Sequence, residues 1–237
     1  MMKKVLFTFL TICLAVAVQA QDMTLEEVLE QHYEVMNQEK LSEVNTVIYE
    51  GTMMQGIEIP IKLMVKRPGM FRMEGTVQGK QFIQAFNGDE GFMLMPNAVA
   101  PQDMSDEQIE SMEDMGSVDG SLYTAQDKGY DMELVGTEDF EGSEVYLVKV
   151  TKENGDEATY YLDAENFVIL KVKSKSTVQG QEVESEMFFS NYKEVDGIIF
   201  AHSQEAKLPN GQTGMQIMID TITLDQDLSD DEFARPE

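Results

Sequence analysis

The chain has 237 residues, 42% of them hydrophobic, and its 44 acidic against 17 basic side chains give a formal net charge of −27. Such a surface repels nucleic acid and anionic headgroups, which excludes a basic-patch binder of either; its plainest use is solubility. The single cysteine, Cys13, lies in the first apolar run, so a chain that loses this run has no disulfide, no thiolate metal site and no thiol nucleophile.

Lys3 and Lys4 precede an apolar run from Val5 to Val18, and Val18-Gln19-Ala20 offers the small-x-small pattern of a cleavage site. Residues 1–20 therefore read as a cleavable signal peptide and 21–237 as a single exported domain in the periplasm. Cys13 follows Leu10, Thr11 and Ile12 rather than a small residue, which does not fit a lipid-anchoring cysteine. Nothing later in the chain is apolar for long enough to span a bilayer as a helix.

Thr24 with Glu27 forms a capping box, and Leu25, Val28, Leu29, His32 and Met36 fall on one face at helical spacing. From about Val44 the period becomes two. In Ile57 to Arg67 the odd positions Ile59, Ile61, Leu63 and Val65 are apolar and most even ones polar, as in a strand with one buried face. Pro60 inside this run predicts an edge strand or a bulge. Turns at Pro68-Gly69, Gly79-Lys80 and Asn87-Gly88 then predict an antiparallel meander.

The segment from Pro96 to Gly129 breaks the rhythm. Ser105 with Gln108 is a second capping box, and Ile109, Met112 and Met115 mark an apolar stripe among acidic residues. It reads as a short helix in a long excursion over the sheet, a lid. Strands resume at Tyr130 and run through the Asn154-Gly155 hairpin to Leu224; the acidic tail from Asp225 is expected to fray. The sum is a mainly β fold: a half-open, unclosed antiparallel barrel of about eleven strands, from about Val44 to Leu224, capped by short α-helices.

Catalytic patterns are absent. His32 reads as a packed histidine, and His202 as a surface or edge residue near a strand end. There is no nucleophile elbow, zinc-protease, Walker or dinucleotide motif, and the calcium-loop-like start Asp225-Gln226-Asp227 meets Asp230 where the turn glycine belongs. No enzyme activity, metal or cofactor is expected. The 18 methionines suit either a loosely specified core or a surface that adapts to variable apolar partners. Arg67 falls on the same strand parity as Ile59 to Val65, facing inward, where a charge needs partners unless the strand twists and lets it reach water.

The run Val65-Lys66-Arg67-Pro68-Gly69-Met70-Phe71-Arg72 resembles the strand-turn signature of LolA-like outer-membrane lipoprotein-sorting proteins, the periplasmic lipoprotein carriers. The order of parts agrees, and Tyr160-Tyr161-Leu162-Asp163 and Tyr192 to Gly197 resemble stretches of the same branch. The resemblance implies an unclosed barrel around an apolar cavity that carries acyl chains of lipoproteins or other lipids toward the outer membrane. It implies an inner-membrane donor, an outer-membrane acceptor and a monomeric carrier. A lipid-sensing or scaffold role with the same pocket is the alternative. By this resemblance Arg67 bonds the lid and governs release, and Phe71 contributes to the cavity mouth. Ile59, Ile61, Leu63, Val65 and Met73 are expected to line the pocket, with Ile109, Met112 and Met115 as the lid. Arg67 is expected to hold a backbone carbonyl or one carboxylate of the excursion, among them Asp103, Asp106, Glu107, Glu110, Glu113, Asp114 and Asp119.

Overall fold

The structure, a computed structural model, describes residues 23–105, 108–109, 116–178, 181–208 and 211–235. The expected signal segment and two of the lid residues, Met112 and Met115, lie outside them. Helix α1 (Leu25–Met36) starts at the Thr24 capping box: Thr24 N–H donates to Glu27 Oε2 at 2.8 Å, and Glu27 N–H donates to Thr24 Oγ1 at 3.3 Å. Asn37, in left-handed backbone at φ 54°, ends α1 and turns the chain into the short helix α2 (Gln38–Glu43). Asn37 Nδ2 donates to Gly197 O at 2.8 Å, which pins this joint to a distant hairpin turn.

Thirteen strands follow among the described residues: β1 (Thr46–Met54), β2 (Glu58–Lys66), β3 (Met70–Val77), β4 (Lys80–Phe86), β5 (Gly91–Leu94), β6 (Gln102–Asp103), β7 (Asp131–Phe140), β8 (Ser143–Thr151), β9 (Glu157–Asp163), β10 (Ile169–Val178), β11 (Gln181–Val195), β12 (Ile198–Lys207) and β13 (Thr213–Leu224). They form one antiparallel sheet in the order β6-β5-β4-β3-β2-β1-β13-β12-β11-β10-β9-β8-β7. Two meanders are thus joined through the first and last strands, and the edges β6 and β7 stay apart, leaving the barrel open. The fold is the mainly β, unclosed barrel that the periodicity predicts. Thirteen strands rather than about eleven reflects in part β6, whose two residues are too few to show a period.

Pro60 does not mark an edge strand, because β2 lies between β1 and β3. The proline sits past the last β2–β3 pair, Ile61↔Gly75, so its missing N–H costs the ladder on that side nothing. The register puts Ile59, Ile61, Leu63 and Val65 on one face with Met53, Tyr49 and Val47 of β1 and with Met73 and Phe71 of β3. This inner face carries the central cluster of Val47, Val65, Phe71, Ile198, Phe200, Ile219 and Ile222. Helix α1 covers a second inner cluster with Val148, Val150, Tyr160 and Leu162.

A further helix, α3 (Ser121–Asp127), lies between β6 and β7 and buries Leu122 and Ala125 against the α1 cluster. The tail after β13 does not fray as expected. It crosses the outer face, where Leu228 and the fully buried Phe233 pack on Ile48, Met64 and Met70. Lys66 Nζ donates to Leu228 O at 2.6 Å and to Asp230 Oδ1 at 2.7 Å.

Candidate functional site

The mouth of the inner face is built where β2 ends. Lys66 is paired with Thr46 and Met70, and the chain then turns through Arg67, Pro68 and Gly69. Arg67 continues the inward parity of β2, and every nitrogen of its guanidinium is engaged. Nε donates to Val44 O at 2.7 Å; Nη2 donates to Leu41 O at 3.1 Å and to Asp119 Oδ1 at 2.9 Å; Nη1 donates to Asp119 Oδ2. The fork-on-fork pairing with Asp119 is the planar geometry that an arginine offers a carboxylate. Asp119 holds the guanidinium above its ordinary pKa, against the opposing effect of partial burial.

Asp119 is the hub of this clasp. Its Oδ1 also accepts from Gln38 Nε2 of α2 at 2.8 Å, and its side chain is only 15% exposed. One carboxylate of the excursion therefore ties three things together: the β2–β3 turn, α2, and the segment that leads into α3. The backbone closes in at the same place. A Cβ on Gly116 would stand 2.8 Å from Gly69 O and 3.4 Å from Phe71 Cβ, so glycine is what lets the excursion rest on the turn. A cavity of about 440 Å³ opens here, lined by Arg67, Gly69, Phe86, Gly116, Asp119 and Tyr123 among others.

The residues expected at the site are brought to one face but divide by depth. Val65 and Phe71 are buried in the central cluster, with Leu63, Met73 and Ile109 half-buried against it. Ile59 and Ile61 lie in a separate cluster with Met53, Val77 and Phe82, further from the mouth. The Ser105 capping box is present: Gln108 N–H donates to Ser105 Oγ at 3.3 Å, and Ser105 N–H to Gln108 Oε1 at 2.9 Å. Met104, just before it, is buried in the central cluster.

Both histidines are buried. His32 Nδ1 lies 2.7 Å from Phe167 O, and burial pushes its imidazole below the ordinary value, opposed by that bond. His202 corrects the surface or edge expectation: it is 5% exposed, in the middle of β12 and on the inner face beside Phe200. The strand runs on for five residues to Lys207, so His202 does not stand at its end. Asp119 is one of the seven excursion carboxylates offered as a partner for Arg67, whereas Gln38 and the whole of α3 escaped the sequence reading. The Leu122/Ala125 spacing and the Gly129 that ends the helix at φ 72° are the signals that mark α3. No described helix is long and apolar enough to cross a membrane, and no group of metal-ligating side chains occurs among the described residues.

Comparison with known proteins places this geometry. No curated protein matches the sequence. A DUF1329 family protein from Desulfovibrio piger has a similar structure at 16% identity, TM-score 0.63, over 87% of this chain and 97% of that one. A LolA superfamily protein from Nitrosomonas europaea is similar at 15% identity, TM-score 0.60, over 90% of this chain and 98% of its own. A domain described as an outer membrane lipoprotein-sorting protein, from Vibrio parahaemolyticus, is similar at 15% identity, TM-score 0.61, over 87% and 94%. A family model described as an "Uncharacterized protein"-like family matches residues 69–237; the chain belongs to that family, and its fold is LolA-like.

Proposed function

We propose that this protein is a periplasmic carrier that holds acyl chains of lipoproteins, or other lipids, against its inner face and delivers them toward the outer membrane. On this reading residues 1–20 are removed on export, and 21–237 work as one monomeric unit between an inner-membrane donor and an outer-membrane acceptor. Arg67 and Phe71 guard the mouth; Leu63, Val65 and Met73 hold the chain below it, Ile59 and Ile61 its far end, and Ile109, Met112 and Met115 the lid side. The observation that carries the reading is the clasp: a single arginine at the rim of an apolar, unclosed sheet fixes the segment that leads from the excursion into α3.

Burying an acyl chain gains about 0.8 kcal/mol per methylene, so a chain of roughly sixteen carbons offers at most about 12 kcal/mol. Each charged hydrogen bond of the clasp is worth about 1.5–3 kcal/mol. A ligand can therefore open a lid that stays shut without it. One neighbour of the fold is described as an outer membrane lipoprotein-sorting protein domain, and that description favours binding over catalysis in this reading.

Protein recovered from its own periplasm is expected to carry acylated species in native mass spectra and to pass them to acceptor vesicles. Arg67→Leu and Asp119→Ala are each expected to leave the far-ultraviolet circular dichroism unchanged and to alter release from loaded protein by severalfold. The double variant is expected to add nothing to either single one. Normal loading and release by both variants would remove the gate; turnover of a lipid or glycan without retention would replace the carrier with an enzyme.

A further inference from the structure

β12 and β13 are paired only from Ser203↔Met218 to Lys207↔Thr213. Beyond Ser203 they part: β13 stays on β1, while β12 stays on β11. His202 stands at this fork. Its Nδ1 lies 2.9 Å from Ile219 O, the carbonyl on the opposite strand where the ladder ends. A carbonyl only accepts, so Nδ1 carries the proton and donates. That bond replaces a ladder bond and gives one ring nitrogen a structural reason.

The other nitrogen has none. With the proton on Nδ1, Nε2 of the neutral ring presents a lone pair, and this atom is fully buried with no hydrogen-bond partner among the described residues. Its surroundings make that costly. His202 shares the inner face with Phe200 and Ile219, both in the central apolar cluster. A buried acceptor left unsatisfied in such a place is a standing penalty that most proteins avoid. Tyr49 adds a second polar group to the same layer. Its ring meets Phe200 edge-on at 6.2 Å, and its hydroxyl makes no hydrogen bond among the described residues. Burial pushes that phenol above its ordinary pKa, so it stays a donor as well as an acceptor.

We infer that His202 Nε2 is a specificity-determining acceptor for a lipid whose chain bears a hydroxyl. The hydroxyl donates to Nε2, and its oxygen remains free to accept from the Tyr49 phenol. The inference rests on the carrier reading and deepens it, from any acyl chain to a hydroxylated one. Depth fixes where the hydroxyl belongs. Lys66, next to Arg67 at the mouth, faces Thr46, whereas Ile219 faces Gly51. Five residues of β1 span about 16 Å at the rise of a strand, which is mid-chain for a long acyl group entering past Arg67.

Methyl oleate and methyl ricinoleate differ only by a mid-chain hydroxyl, and as esters neither adds charge at the mouth. Competition between them for the purified protein, read by native mass spectrometry, is expected to favour methyl ricinoleate about fivefold, the worth of one neutral hydrogen bond. In His202→Asn the amide N–H can still donate to Ile219 O, but the acceptor at Nε2 is gone, so the variant is expected to fold and to take both esters equally. Equal loading by the native protein overturns the inference and leaves the carrier reading standing. Loading of neither ester overturns both. A preference that survives in His202→Asn moves the selectivity away from this residue. Equal loading by the native protein overturns the idea whether or not the variant folds.

Discussion

His32 and Arg67 are both polar side chains set against the inner face, and they sit there in different charge states. Arg67 keeps its charge because Asp119 and two carbonyls surround it. His32 is held neutral, its Nδ1–H given to Phe167 O while burial resists a second proton. An unfolded imidazole titrates near 6.5. The folded value lies below that, so the stability linked to His32 is fully present above about pH 6.5 and is lost as pH falls through the lowered folded value. Thermal melts of the native protein and of His32→Gln, compared between about pH 7.5 and about pH 5, are expected to show the larger acid loss in the native protein. Parallel losses would assign the acid sensitivity elsewhere. Arg67 was legible in the sequence because strand parity alone pointed it inward and a buried charge demands a partner. Which partner was not legible. Asp119 is one of many acids in the excursion, and only the packing of that segment on the β2–β3 turn and α2 singles it out.

At the scale of elements, strands and first helix declared themselves through period and punctuation. Thr24 and Glu27 fixed the start of α1, and Gly-containing turns separated most of the hairpins. The excursion was harder, because a segment held by contacts with three other elements carries little local pattern. Its helix α3 has only Leu122 and Ala125 as a buried stripe, on a seven-residue helix. The contact that seats this segment is backbone against backbone, at Gly116 and Gly69. Gly116→Ala would put a methyl 2.8 Å from a carbonyl oxygen that has no rotamer to escape through, so the excursion must rise from the turn. A rise of even a few tenths of an ångström loosens a fork-on-fork pair whose geometry is planar. The expected result is faster hydrogen exchange around residues 116–119, with the β1–β13 ladder unchanged, and faster loading of an apolar fluorescent probe. Unchanged exchange in 116–119 would show that the segment is not seated by this contact.

The whole molecule is a sheet used on both faces, and this is where composition misled most. The inner face holds the apolar clusters and the helices, as an unclosed barrel with a cavity requires. The even positions of the Ile57–Arg67 run read as mostly polar and the tail was expected to fray, yet on that outer face Ile48, Met64 and Met70 are covered by the chain's own tail. Asp225, Asp227, Asp230, Asp231 and Glu232 disguise that tail as a solvated end; Leu228 and Phe233 are the two apolar residues that dock it. Polar contacts set its course. Thr46 Oγ1 donates to Gln226 O at 2.7 Å, Arg72 Nη1 to Glu232 O at 3.2 Å, and Arg235 Nη2 to Pro101 O at 2.8 Å, with Arg235 Nη1 also bonded to Asp103. The tail thus runs from the end of β13 to the root of the excursion, bracing the strands whose other side forms the mouth. Emptying the Phe233 site removes a fully buried aromatic ring, a change that costs about 3–5 kcal/mol where the surroundings cannot collapse. A tail on the surface collapses more readily than a core, so the lower end of that range is expected for Phe233→Ala, read from urea melts. Arg235→Ala, whose partners are exposed, is expected to cost less than about 1 kcal/mol. If Phe233→Ala melts like the native protein, the tail is a passenger; a loss of several kcal/mol makes it the outer layer of the fold.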